Sequence, residues 1–404
     1  MPNTIIPVDL GKAPEEQALR PHNRWHPSIP GVARVTPGEV FRIECSDLTG
    51  GQVLNSDSAD DIRDLDLTQL HYLSGPVEVE GAHAGDVLVV DVLDVGTLPN
   101  AEWGFTAILQ AGSGTGLLSK EYPDARKAIW DINGIYATSR HIRGVRFAGT
   151  PHPGIIGCAP SLEMVAEWNR REARILEKHG SRFTSEVALP RTRGALLGNL
   201  PEGRIEEIAA VAPRTWPARE NGGNMDVKEL GRGSRIYLPV HVDGALLSVG
   251  DLHFSQGDGK ITGLGGVKIA GWIDLHLELI PDGIARLQID NPVFEPNPLE
   301  RGYHDYLTFQ GISIDADDSQ HYLDVLVAYR HACLNAIRYL EGYGYTGEQA
   351  YMLLAAAPVQ GRLSCLLEHP NVCTTLALPK AIFDFPIEPN LGFMGGDHRG
   401  RAAD

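Results

Sequence analysis

At 404 residues, with 43% hydrophobic side chains, the chain has ample material for a folded core and does not have the composition of a disordered protein. Its formal charge of −17 comes without a lysine/arginine block, which argues against a nucleic-acid or anionic-membrane partner. No stretch approaches the roughly 20 apolar residues that span a bilayer, and five scattered cysteines with no Cys-x-x-Cys point to reduced thiols in the cytoplasm.

The N-terminal MPNTIIPVDLGKAPEEQ lacks the basic-then-apolar order of a secretory signal. The first 115 or so residues read as strands. ARVTPGEVFRIE, HAGDVLVVDVLDVG and, further on, ALLSVGDLHF each run from a Gly-Glu or Gly-Asp turn into an apolar, β-branched segment. PVEVEGAHAGDVL at 76–88 and PVHVDGALLSVGDLH at 239–253 share Pro-Val-x-Val-acid-Gly-Ala and a later Gly-Asp. Each is expected to be strand, turn, strand: one unit used twice, or a common hairpin pattern. AGSGTG at 111–116 reads as a loop, because its third glycine comes too early for a dinucleotide fingerprint.

Ser161 is expected to cap a helix through MVAEWNRREARILEKHG that stops at Gly180. In DSQHYLDVLVAYRHACLNAIRYLEGYG, the residues Leu323, Leu326, Val327, Leu334, Ile337 and Leu340 form one apolar stripe, ended by Gly342 and Gly344. Thr346 and Gln349 make a capping box for a further helix, which Pro358 ends. The expected class is α+β and β-rich, with sandwich- or barrel-like strands and helices in the middle and C-terminal region. Without regular strand–helix alternation or a composition break, residues 1–404 read as one domain. A β-rich subdomain is expected at about 1–120 and 205–300, and a helical C-terminal region at about 315–404.

Three polar clusters carry candidate chemistry. CSDLTGGQVLNSDSADDIRDLDLTQLHYLSGP at 45–76 holds Asp47, Asp57, Asp60, Asp61, Asp64, Asp66 and His71; carboxylates with an imidazole suit a divalent cation, and the alternative is a solvated acidic loop. In ENGGNMDVKEL, Gly222 and Gly223 free the backbone to turn and present Asn224 and Asp226 together. In GDLHFSQGDGK, period-two alternation places Asp251, His253 and Ser255 on one face, a polar set unusual for a core strand. Cys158, among Ile155, Ile156, Ala159 and Pro160, reads as a core residue, with a nucleophile before a helix as the alternative.

PHNRWHPSIPGV, ECSDLTGGQ, NSDSADDIRDLDL, GPVEVEGAHAGDVLVVDVLDVG, KAIWDINGIYATSRHIRGVRFAGTPHPGIIGCAPS, ENGGNMDVKEL and GDLHFSQGDGK together resemble, in order, the acetamidase/formamidase family. The resemblance implies hydrolysis of short aliphatic amides to a carboxylate and ammonia, a β-rich α+β fold, homo-oligomers and, as in some members, metal ions. It also implies that His71, Asn224, Asp226 and His253 meet in one pocket. The chain departs from the family pattern at Lys260 and Lys268, where glutamate is usual, and at Asn221, where histidine is usual. Two acids replaced by two lysines point to an altered amide preference, for instance a cyclic amide such as a lactam.

On this reading His71, Asp226 and His253 are the expected metal ligands, with zinc as the ion. Asp60 is a further ligand or the base, Asn224 and Gln256 orient the amide, and Asp258 is a further catalytic candidate. A metal-bound water is then the nucleophile, and backbone amides of Gly222, Gly223 or Gly257 stabilise the oxyanion. A covalent route through Cys158 or a serine needs no metal. The alternative of another class is a non-catalytic β-sandwich module that binds small molecules through the same polar face.

Overall fold

The computed structural model describes residues 2–113, 116–180, 189–297 and 302–387. Among them the chain forms a six-stranded sheet, an eleven-stranded sheet and a three-stranded sheet, with helices in the middle and toward the C-terminus. The fold is α+β and β-rich, as expected. The strand Val87–Thr97 lies between Arg235–Pro239 and Gly271–Ile280 in the six-stranded sheet, antiparallel to both. Its run Val87–Val90 is buried throughout, which accounts for an unbroken apolar stretch where a half-exposed strand would alternate.

The two echoing segments are not hairpins. In the first, Leu73–Val79 belongs to the eleven-stranded sheet and Val87–Thr97 to the six-stranded one. In the second the order is reversed: Arg235–Pro239 lies in the six-stranded sheet and Leu247–His253 in the eleven-stranded one. The segments pair crosswise, Val77 opposite Leu247 and Val90 opposite Ile236. Their turns interlock as well: Gly85 N donates to Val240 O and Val240 N to Asp86 O, both at 2.9 Å, and Gly244 N donates to Ala82 O at 2.8 Å. The shared pattern therefore encodes a crossing between sheets. Its apolar residues, among them Val77, Val90, Leu238, Leu247 and Val249, meet in one core.

The helix Leu162–His179 starts at Ser161, whose hydroxyl accepts from Met164 N, and stops at Gly180, where φ is 72°. The capping box of Thr346 and Gln349 is present at the start of Gly347–Ala356. The helix Val325–Glu341 buries Ile337 and Leu340 of the expected stripe and packs Leu334 against the core, but it adds Ala328, Ala332, Cys333 and Ala336 and leaves Leu326 exposed. The small residues decide this, because the helix backbone lies close against Gly311 of the strand Tyr306–Ile312. The expected helical C-terminal region is shared with a hairpin, Gln360–Glu368 and Asn371–Pro379, which pairs with Tyr306–Ile312. Residues 388–404 of that region, and two residues of the AGSGTG loop, lie outside the described residues.

The end of the helix Gly347–Ala356 clamps the loop that follows the strand Leu247–His253. Gly257 N donates to Ala355 O at 3.0 Å, Asp258 N to Val359 O at 3.1 Å, and the Tyr329 hydroxyl to Asp258 O at 2.8 Å. A side chain at Gly257 would run into the carbonyl of Leu354, a backbone atom that cannot swing aside. Gly257→Ala is therefore expected to cost about 1–3 kcal/mol, the range for overpacking. The check is a lowered urea midpoint with an unchanged m-value; an unchanged midpoint would show that the clamp is loose.

Candidate active site

Three adjacent strands of the eleven-stranded sheet, His152–Gly157, Leu247–His253 and Leu264–Lys268, bring the polar residues together. His253 stands directly opposite His152 on one neighbour and Lys268 on the other. Residues facing each other across antiparallel strands point to the same side, so the register alone builds a His152–His253–Lys268 row. Asp226 comes from the loop after Gly222–Asn224, held by its amide donating to Gly154 O at 3.0 Å. Lys260 comes from the clamped loop. Asp226, Asp251 and Lys260 have φ of 51°, 48° and 42°, a left-handed conformation that costs on the order of 1 kcal/mol or more at a non-glycine residue. Three strained residues converging on one cluster is the pattern of a site held in place by the surrounding fold.

The hydrogen bonds leave little freedom. Gln256 Nε2 donates to Asp226 O at 2.6 Å, which turns Gln256 Oε1 toward His253 Nδ1 at 2.8 Å. His253 therefore carries its proton on Nδ1 and offers a lone pair at Nε2. Lys268 Nζ lies 2.8 and 2.9 Å from the two carboxylate oxygens of Asp251 and 2.5 Å from His253 Nε2, which accounts for all three ammonium protons. Lys260 Nζ donates to Asp226 Oδ2 at 2.7 Å and stands 3.5 Å from Asp251 Oδ2.

Burial and charge pull these groups in opposite directions. Burial alone pushes Asp251 up, but the ammonium groups of Lys268 and Lys260 override it and hold the carboxyl well below the usual carboxylate range. Asp226 is lowered in the same way, with Lys260 as the main counterweight to burial. Lys260, though desolvated, is raised by Asp226 and Asp251. Lys268 is brought down to about 8, first by burial and then, against the pull of Asp251, by Lys260. Burial holds His71 and His152 at about 3, so both imidazoles are neutral.

Several buried atoms at the site have no partner: Asp226 Oδ1, His71 Nδ1, His152 Nε2 and Asn224 Oδ1. Unpartnered buried polar atoms are costly, and a cluster of them is a place for a polar ligand. Gly154 keeps the space open. A methyl group there would come within 2.9 Å of both Asp226 Oδ1 and His253 Nε2. A cavity of about 730 Å³, bounded by Leu117, Asp258, Lys260, Leu326, Tyr329 and Leu363, leads in from the surface to Lys260.

The acetamidase/formamidase family model matches residues 7–385. The chain belongs to the acetamidase/formamidase family. It is 51% identical over 387 residues to a formamidase of Methylophilus methylotrophus, covering 96% of this chain and 95% of that one. An acetamidase of Mycolicibacterium smegmatis is 48% identical over 370 residues, covering 89% of this chain and 91% of that one. A solved structure of a gamma lactamase from Delftia acidovorans superposes with a TM-score of 0.94 at 50% identity, covering 96% and 95% of the two chains.

Asp226, Asp251 and His253 place ligand atoms within 4.8 Å of one another, a donor set suited to a divalent cation. The ammonium groups of Lys260 and Lys268 lie on those same atoms. A metal ion and both ammonium groups do not fit there together.

The expected site residues divide accordingly. Asp226, His253 and Gln256 are at the cluster, Asn224 instead donates to Trp216 O at 2.6 Å, and His71 is a buried neighbour whose titration is influenced by Asp226 and Asp251. The third member of the metal-type triad is Asp251 rather than His71. Gln256 is bound to His253 and Asp226, so it orients the imidazole and not the amide. Asp60 is away from the site, exposed on a short helix and paired with Arg63 at 2.5 Å. Its segment is structural: Asp47 and Asp66 cap turns, Asp57 pairs with Arg140 and Asp61 with Lys127. Asp258 pairs with Lys228 at 2.7 Å and accepts from Gly361 N, bracing the loop. His152 was not among the candidates, and Lys268 stood out only as a departure from the family pattern; HP in GTPHPGIIG and the lysine in GGVK each take their meaning from a cross-strand register.

His22, held at about 4 by burial, joins His71 and His152 as a histidine kept neutral by the fold. The unfolded chain takes up these protons below its ordinary value of about 6.5 while the folded chain refuses them, so stability is full above about pH 6.5 and is lost as the pH falls. Each group contributes at most about 1.4 kcal/mol per pH unit. Unfolding free energies measured between pH 7 and 4.5 are expected to fall, with a slope approaching roughly 4 kcal/mol per unit near pH 5. A flat profile would contradict the neutral assignment.

Proposed function

We propose that this chain hydrolyses the carbon–nitrogen bond of short aliphatic amides, releasing a carboxylate and ammonia, at the Asp226–Asp251–His253 cluster. It is a hydrolase of carbon–nitrogen bonds other than peptide bonds. The observation that carries the reading is near-full-length identity of about one half to a formamidase and an acetamidase. The geometry supplies the chemistry. An unactivated amide needs its carbonyl polarised, a water deprotonated and its nitrogen protonated. Asp226 Oδ1, free beside Gly154, takes the proton of the attacking water. The ammonium group of Lys260 stabilises the oxyanion as it forms, with the positive charge of Lys268 behind it. Asp226, now protonated, returns that proton to the departing nitrogen, so that the carbon–nitrogen bond breaks with ammonia as the leaving group. His253, fixed by Gln256, holds Lys268 in place.

A second reading, hydrolysis of a cyclic amide at the same cluster, is favoured by the likeness to a protein named gamma lactamase. Of the divalent ions, zinc matches a carboxylate–imidazole set; it would bind with both ammonium groups displaced, and no step here runs through it. The five cysteines, all unpaired, support a reducing compartment such as the cytoplasm. Exposed Tyr322, Leu326, Leu363 and Leu367 support self-association. No helix among the described residues is long and apolar enough to cross a membrane.

Purified protein is expected to release ammonia from formamide and acetamide, and the ring opening of a five-membered lactam, followed by chromatography, ranks the second reading. Asp226→Asn is expected to lower kcat by about 100-fold or more. Cys158→Ala is expected to keep most of the activity, because burial pushes its thiol up to about 12. Folded protein that turns over none of these amides would refute the reading.

A further inference from the structure

We propose that Lys260 and Lys268 together replace a divalent cation, so that this site works without a metal ion. The proposal rests on the reading of the cluster as the reaction centre, and its principal test does not depend on turnover. Asp226 and Asp251 bring two negative charges into the interior, and the two ammonium groups bring two positive charges, the charge a divalent ion would supply. Lys268 is fully buried and reaches both oxygens of Asp251 together with His253 Nε2. Lys260 covers Asp226 Oδ2. Every residue of the triad therefore already has a cationic partner, and Asp226 Oδ1 is the one carboxylate oxygen of the triad left without one.

An ammonium differs from a metal ion in what it can do. It can donate hydrogen bonds to an oxyanion and pass a proton to a leaving group, but it cannot ligate a water molecule and acidify it. The acid–base work then falls on side chains. This fits a site in which one carboxylate oxygen, Asp226 Oδ1, faces open space beside a glycine. It also explains why both lysines, which ordinarily snorkel to water, turn inward, Lys268 from a strand to Asp251 and Lys260 from a loop to Asp226 and Asp251.

The test is metal retention. The full chain is incubated with excess zinc, desalted, and its metal content measured by plasma mass spectrometry, alongside thermal melts with and without zinc. The parent protein is expected to retain less than about 0.1 equivalent and to melt at the same temperature with or without the ion. In Lys260→Met/Lys268→Met, which removes both charges at nearly constant volume, the two aspartates are left uncompensated. That variant is expected to retain close to one equivalent and to be stabilised by zinc. Should the double variant not fold, Lys260→Met, the less buried position, is expected to gain at least tenfold in zinc affinity over the parent. One equivalent of zinc held by the parent with both lysines intact would overturn the proposal, as would folded variants that gain no affinity. Amide turnover by exhaustively chelated parent protein is the functional counterpart: metal retention failing as predicted while no amide is hydrolysed would leave the cation replacement standing and remove the amidase reading.

Discussion

Two carboxylates and two ammonium groups share one largely buried volume in this protein, and much of the surrounding structure serves to make that tolerable. Taking an ion out of water costs several kcal/mol, recovered only if its partner is close, well aligned and fully hydrogen-bonded. Lys268 meets that condition with three acceptors for three protons, and Asp251 with contacts to both lysines. The left-handed backbone at Asp226, Asp251 and Lys260 is the geometric cost of aiming short and long side chains at the same point. Because positive and negative charges balance, the site presents a strong local field with little net charge, an environment suited to a neutral, polar substrate such as an amide.

The fold delivers these groups by register rather than by proximity in sequence. His152, His253 and Lys268 are separated by more than a hundred residues at their extremes, yet stand side by side because three antiparallel strands are held in register. Register on the strand Leu247–His253 is in turn fixed by the crossing segment to which it belongs, whose partner strand Leu73–Val79 flanks it. The last helix completes the arrangement by holding the loop 254–263 from behind, so that Lys260 is carried inward rather than outward. Slippage of one residue in this strand would send His253 and Asp251 to the apolar side of the sheet.

Much of this was legible in the sequence. Alternation in GDLHF marks Asp251 and His253 as a polar face in an apolar strand, glycines mark the sharp approaches, and Ser161, Gly180, Thr346 and Gln349 mark helix ends that the structure has at those positions. What was not legible depends on partners distant in sequence. Asp60 and Asp258 looked like site carboxylates because an acid in a polar segment carries no sign of its own ion pair; Arg63 and Lys228 neutralise them. Lys260 and Lys268 stood out only as departures from the family pattern, since only the fold shows that Asp226 and Asp251 stand against them. The stripe on the helix Val325–Glu341 was right at Ile337 and Leu340 and wrong at Leu326, because leucine outweighs alanine in a hydrophobic count whereas close packing on a sheet selects the alanines.

The central claim is that the buried charges form one mutually neutralised unit. A double-mutant cycle on Asp251→Asn and Lys268→Met, read from denaturant unfolding of the four proteins at neutral pH, tests it directly. Each single substitution strands a buried charge and is predicted to cost about 3–5 kcal/mol. The double substitution removes both charges together and is predicted to cost at least about 2 kcal/mol less than the two singles combined. Additivity to within about 0.5 kcal/mol would mean that Asp251 and Lys268 are energetically independent, and would contradict the account.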